Sequence, residues 1–258
     1  MRSIAVASGK GGVGKTSISL NLGLALADKG LKVCVVDADV AMANLGILLG
    51  VDRPPISLHN VLTGEASMKD AVYDGPIGLN YVPAGLGTER LRRMDYGRLR
   101  SAVNELKGFD FVIIDCPSGL AADAQAGIKA AKELLVVVTP EPSSLADALK
   151  VRSFAEKNGV RIAGFVYNMY YADAAEVSSK DMATVLEAKL LAQAPIDANV
   201  RRASATQEPV FLKYPGTVFS QRMRVLAGEL TGEPVDESNL KKDWLAELIE
   251  QITRLFRV

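Results

Sequence analysis

The chain has 258 residues, with 30 basic and 30 acidic side chains and a formal net charge of zero. Apolar residues make up 48% and charged residues 23%, which excludes a disordered chain and supplies enough material for a large buried core. Zero net charge argues against a protein that coats nucleic acid, and no run of roughly 18 apolar residues is present to span a membrane.

The first predicted element is a strand, Ser3–Ser8, whose apolar run is too short for a leader peptide. It runs into Gly9-Lys10-Gly11-Gly12-Val13-Gly14-Lys15-Thr16, the pattern G-x-x-x-x-G-K-[ST], and then a helix over Lys15–Lys29 that Gly30 ends. Glycines let successive backbone N–H groups turn inward around phosphate oxygens, and a helix N-terminus adds partial positive charge. Lys15 is expected to reach the β- and γ-phosphates and Thr16 to place its hydroxyl on Mg²⁺. Residues Gly9 to Thr16, with Ser17 in the same first turn, form the expected ATP-binding loop. A strand over Lys32–Asp37 follows and delivers Asp37 and Asp39 to its carboxyl end, where open α/β sheets bind ligands. The bland alternative is that one of the two acids caps the next helix.

A strand over Leu79–Pro83 and a helix over Glu89–Leu106 come next. The arginines of that helix (Arg90, Arg92, Arg93, Arg98, Arg100) are diluted by Glu89, Asp95 and Glu105 and read as a solvated face. The strand Phe109–Asp115 then ends in Asp115-Cys116-Pro117-Ser118-Gly119, a hydrophobic strand closed by an acid and a flexible turn, and Asp115 is expected to hold Mg²⁺. Helices over Leu120–Lys132, Ser143–Asn158, Ser178–Glu187 and Gly216–Leu230 alternate with strands over Leu134–Thr139, Arg161–Asn168 and Leu190–Ile196. Strands such as Phe111–Ile114 and Leu134–Val138 are apolar without alternation, which means burial on both faces. The predicted fold is α/β, a doubly wound and mostly parallel sheet with helices on both faces. Cys34 and Cys116 read as buried small residues of a reduced protein, and His59, the only histidine, as a surface residue.

Residues 1–231 are expected to form the ATPase domain, 232–238 a linker containing Gly232 and Pro234, and 239–258 a C-terminal helix. In that helix Trp244, Leu245, Leu248, Ile249, Ile252, Leu255 and Phe256 share an arc of about 140°. Such a stripe suits either a membrane surface or docking on the protein body.

With Lys10 the loop reads Lys-Gly-Gly-Val-Gly-Lys-Thr and resembles the deviant Walker A loop of the MinD/ParA group of P-loop ATPases, a likeness that covers roughly residues 1–230. The resemblance implies that Lys10 reaches across a dimer interface to the partner's nucleotide. It also implies that Asp39 orients or activates the hydrolytic water and that Asp37 supports the metal shell. The match continues through Asn44-Leu45-Gly46, and it implies that Asn44 and Asp147 lie at the dimer face. Asn168 would hydrogen-bond the base and Pro195, Ile196 and Asp197 would line its other side. Val200-Arg201-Arg202-Ala203 and Glu208-Pro209-Val210 are similar to the MinD branch, and the C-terminal stripe resembles its membrane-targeting helix. The implied function is slow, Mg²⁺-dependent hydrolysis of ATP to ADP in a switch that forms a homodimer with ATP and recruits a protein regulator or effector. Its implied place is the cytoplasm, peripheral to the inner face of the cell membrane when ATP-bound, in spatial regulation such as cell-division site placement. Nucleic acid is not an expected partner. A ParA-type DNA-partitioning ATPase and a metabolic ATP-dependent enzyme on the same loop are the alternatives.

Overall fold

Three apolar strands lie side by side at the centre of the molecule: β5 (Phe111–Asp115), β1 (Arg2–Ala7) and β6 (Glu133–Val138), all parallel. The computed structural model describes residues 1–51, 54–85, 93–171, 173 and 175–233. Outward from β5 lie β2 (Val33–Asp37), β4 (Leu79–Val82) and the two-residue β3 (Tyr73–Asp74); outward from β6 lie β7 (Arg161–Tyr170) and β8 (Leu190–Pro195). Among the described residues this gives an eight-stranded sheet of order β3-β4-β2-β5-β1-β6-β7-β8, parallel throughout except for the β3·β4 edge pair.

Side chains along each central strand alternate between two cores. Ile4 and Val6 pack with Ile113, Leu135 and Val137 on one face, while Ala5 and Ala7 pack with Val112, Ile114 and Val136 on the other. Both faces are covered, so the central strands show no polar alternation. The first face carries α1 (Lys15–Asp28), α9 (Val210–Lys213) and α10 (Val218–Thr231); the second carries α4 (Leu99–Asn104), α5 (Ala122–Ala130), α6 (Pro142–Lys157) and α7 (Ser179–Leu186). Helix α1 is buried continuously from Ile18 to Ala27. Its Gly23 lies so close to the sheet that a Cβ there would come within 2.6 Å of Val35 Cγ2 and 3.1 Å of Leu79 Cδ1.

The predicted strands all form, with ends shifted by one or two residues. The long helix expected over Glu89–Leu106 does not extend that far in the described part: α4 covers only Leu99–Asn104, after a 3₁₀ turn at Tyr96–Arg98. Asp95 stops it by accepting the Gly97 amide at 2.9 Å, which commits the chain to a cap four residues before the start of α4. Residues 86–92, including Glu89, Arg90 and Arg92, lie outside the described residues. Short helices α2 (Leu45–Leu48), α3 (Leu58–Thr63) and α8 (Ala198–Ala205) went unpredicted.

His59 is a correction. It is 2% exposed, not a surface residue, and its Nε2 lies 2.9 Å from the Val40 carbonyl, which needs the proton on Nε2. The cause is the backbone: the Leu58 and His59 amides donate to the Pro83 and Ala84 carbonyls and draw α3 onto the sheet.

Candidate functional site

The loop between β1 and α1 opens at the carboxyl end of the sheet, where the chain order reverses between β5 and β6 on either side of β1. Gly12 and Gly14 have φ of 76° and 92°, the left-handed region that glycine enters without strain. Gly14 is also the N-cap of α1. Asn168 presses on it from the end of β7 and donates Nδ2–H to the Val13 carbonyl at 2.8 Å. A side chain at position 14 would strike that amide, so strand β7 holds the loop in shape.

Lys15 is nearly buried and donates to Ser118 Oγ at 2.7 Å. Burial draws its ammonium below the ordinary lysine range, against the opposing charges of Asp115 and Asp39. Asp115, 1% exposed at the end of β5, accepts from Ser19 Oγ at 3.0 Å through Oδ1. Its Oδ2 is buried without a hydrogen-bond partner. Burial pushes this carboxyl up to about 6, although the Thr16 and Ser19 hydroxyls pull the other way. A buried carboxylate oxygen with no donor, beside the Thr16 hydroxyl and a phosphate loop, is what a hard cation with oxygen ligands would complete. The donor set fits Mg²⁺.

Asp37 stands opposite Asp115 across β2 and β5 and is fully buried. Burial first, and then the Asp115 charge, hold its carboxyl well above the usual range. Its two oxygens take the amides of Asp39 at 3.1 Å, Asn44 at 3.2 Å and Leu45 at 3.1 Å. Neither oxygen is left without a partner, in contrast to Asp115. Asp37 thereby ties the 39–45 segment to the strand at the start of α2. Asp39 is half-buried near Lys15 and accepts the Met42 amide at 3.0 Å; burial raises its carboxyl, against that amide and against Lys15.

Lys10 and Asp147 lie at the loop's outer side. Lys10 Nζ is 3.8 Å from Glu141 of the same chain, both half-exposed, and Asp147 pairs with Lys150 at 2.9 Å while its backbone and Cβ abut Gly9. Asn44 is exposed and donates Nδ2–H to the Met42 carbonyl at 2.6 Å. On the other side of the loop a cleft of about 530 Å³ is lined by Gly14, Ser17, Asn168, Pro195, Ile196 and Asp197, and also by Met169, Arg201 and Phe219. The structure therefore brings the expected base-site residues to one wall. Ile196 is half-exposed at the rim, and Asp197 caps α8 by accepting the Asn199 amide at 2.8 Å.

Sequence reasoning missed Ser19, Ser118 and Met169. Ser19 has a signal, its three-residue spacing from Thr16 on one helix face. Met169 has none: its φ of 59° arises where the β7·β8 register shifts between Asn168 and Tyr170. Trp244, Leu245, Leu248, Ile249, Ile252, Leu255 and Phe256 lie outside the described residues.

Among known proteins, the CobQ/CobB/MinD/ParA nucleotide binding domain family matches residues 4–210. The chain is 40% identical over 240 residues to an uncharacterised ATP-binding protein of Methanocaldococcus jannaschii, covering 93% of this chain and 90% of that one. It is 31% identical to the antiactivator FleN of Pseudomonas aeruginosa over 246 residues, 90% of this chain and 87% of FleN. The septum site-determining protein MinD of Pyrococcus horikoshii, solved in complex with Mg-ADP, superposes with a TM-score of 0.85 at 36% identity, over 89% of this chain and 95% of that one.

Proposed function

The chain belongs to the MinD/ParA family of P-loop ATPases, and from that membership we propose that it is a nucleotide-driven switch that dimerises with ATP and meets a membrane. The observation that carries the nucleotide half of this reading is the orphaned Oδ2 of Asp115 beside the loop that Lys15 and Thr16 close. In this reading Thr16 and Asp115 hold Mg²⁺, which when bound neutralises charge on the β- and γ-phosphates. Gly9 to Ser17 wrap the phosphates with backbone amides, and Lys15 pairs with the β- and γ-oxygens. Asp39, half-buried and near Lys15, orients the hydrolytic water. Asn168, in the cleft wall, spends its amide N–H on Val13, which leaves its carbonyl oxygen as the group to accept from the 6-amino group of adenine.

Lys10 leaves Glu141 to reach the nucleotide of a second copy, where a cation beside the departing phosphate stabilises transition-state charge. Asn44 and Asp147 meet that copy. Residues 1–231 form the ATPase domain, since α10 closes at Thr231 with Gly232 in the left-handed conformation. The 232–238 linker then carries the amphipathic 239–258 segment to the inner face of the membrane. One such segment binds weakly, and two in a dimer bind far more tightly through effective concentration.

Sedimentation with anionic liposomes tests the whole reading. The protein is expected to co-sediment with ATP and not with ADP, and removal of residues 239–258 to abolish this while ATP-dependent dimerisation persists. Equal sedimentation with both nucleotides, or a truncated chain that aggregates because the segment belongs to the core, would overturn the membrane half. A Lys10→Ala protein that still dimerises and hydrolyses ATP at the wild-type rate would remove the role across the interface.

A further inference from the structure

The phosphate loop and the turn after β5 meet through a side chain that neither the glycine pattern nor the acid at the strand end requires. Ser118 is exposed, yet its Oγ lies 2.7 Å from the Lys15 ammonium. A Cβ built on Gly11 would come within 3.7 Å of the same oxygen. The hydroxyl therefore lies over the mouth of the loop, as an oxygen at hydrogen-bond distance from the lysine that phosphate oxygens need. The turn is fastened at a second point, where the Gly119 amide donates to the Ser8 carbonyl at 2.9 Å. Gly119 has a φ of 80°, and only glycine enters that conformation without strain. The chain from Cys116 to Gly119 is thus laid on the loop by one side-chain bond and one backbone bond.

We propose that Ser118 is a latch on the nucleotide site: its hydroxyl and an incoming phosphate compete for Lys15 and for the space over Gly11, so that binding of a nucleoside di- or triphosphate releases the 116–119 turn. The proposal rests on the phosphate-loop reading above. A bond from an ammonium to an ionised phosphate oxygen joins two opposite charges, whereas the bond to the hydroxyl has only one ionised member, so the exchange runs towards the nucleotide. Closing the latch lowers the fraction of molecules ready to bind and so weakens the apparent affinity by that fraction. The turn begins at Asp115. Release of Ser118 therefore carries news of phosphate at the loop to the segment that leaves the metal-binding acid.

Calorimetry with Mg-ADP on the full chain tests the latch. Ser118→Ala is expected to bind roughly three- to tenfold tighter than wild type, the net worth of the one hydrogen bond that Lys15 no longer has to give up. Ser118→Thr keeps the hydroxyl and is expected to stay within about twofold of wild type. Amide hydrogen exchange supplies a second readout. The Gly119 amide of the wild type should lose protection when Mg-ADP is added, and in Ser118→Ala it should be poorly protected from the start. An alanine variant with wild-type or weaker affinity overturns the latch, as does a Gly119 amide equally protected with and without Mg-ADP. A wild-type chain that binds no Mg-ADP at all would instead take down the phosphate-loop reading and the latch with it.

Discussion

The two ends of the sheet treat buried carboxylates in opposite ways. At the amino end Glu133, 4% exposed, is gripped by Arg2 through Nε and Nη2, both at 2.9 Å, and by Arg161 at 3.0 Å. Burial alone would raise its carboxyl, but the two guanidinium groups hold it below the usual range. At the carboxyl end Asp37 and Asp115 are just as buried, face each other across neighbouring strands, and are both pushed up. Lys15 is the cation beside them, and it too is perturbed by burial. One end spends its charges on holding β1, β6 and β7 together. The other keeps an acid short of partners, a local cost that the rest of the core sustains and that a ligand would relieve.

Removing the cation at the carboxyl end should have the largest effect. Lys15→Ala is expected to weaken Mg-ADP binding by about a hundredfold or more, because a site for several negative charges loses its fixed positive one. Calorimetry reads this directly, and unchanged affinity would erase the functional contrast between the two ends. Neutralising the orphan should do the reverse to stability. Asp115→Asn is expected to stabilise the metal-free protein by about 1–3 kcal/mol in urea unfolding at pH 7, while losing the response to Mg²⁺. A destabilised variant would show that Asp115 is a structural acid like Glu133.

Breaking the clamp at the amino end should be smaller and purely structural. Glu133→Gln is expected to lose about 1–2 kcal/mol, a figure kept low because both arginines are more than a third solvent-exposed and screened. Mg-ADP affinity should not change. The smallest effect is on pH. The Asp115 carboxyl titrates near 6 when folded against 3.8 as its ordinary value, so its favourable contribution is present at low pH and lost as pH rises through about 6. The depressed Glu133 carboxyl contributes in the opposite sense, losing its share as pH falls below the ordinary glutamate range. Without Mg²⁺, stability should therefore rise by about 1 kcal/mol from pH 7 to pH 5 and fall at lower pH. Urea midpoints at each pH check this, and Asp115→Asn should shrink the upper limb to the share of the raised Asp37 and Asp39 carboxyls, leaving the lower limb as it is.

What could be read in advance depended on whether a signal was contiguous. Gly9–Thr16 and Phe111–Asp115 carry their chemistry in consecutive residues, and strands buried on both faces announce themselves by unbroken apolar runs. Helix α2 spans four residues and α3 six, too short for periodicity to register; the first is held by Asp37 eight residues before Leu45, and the second by Pro83 and Ala84 far along the chain. His59 was misplaced for that reason. The three backbone amides that Asp37 accepts have no sequence signature either. The wall of the cleft from Asn168 and Pro195–Asp197 was reached through family resemblance alone, because β7 and β8 meet the phosphate loop only in three dimensions.

The close approach at Gly23 sets a mechanical tolerance for everything at the carboxyl end. Helix α1 is a rod with Lys15 and Thr16 at its tip and Gly23 about two turns behind, against Val35 and Leu79. The rod is enclosed from Ile18 to Ala27, which resists rolling to make room for a methyl group at that fulcrum. Added bulk there must displace the Val35 and Leu79 side chains or lift the shaft. A lifted shaft delivers the motion to the tip, more than 10 Å away along the axis at about 1.5 Å per residue. A residue with no polar atom in its side chain thereby gauges how far the lysine stands from the acids of β2 and β5.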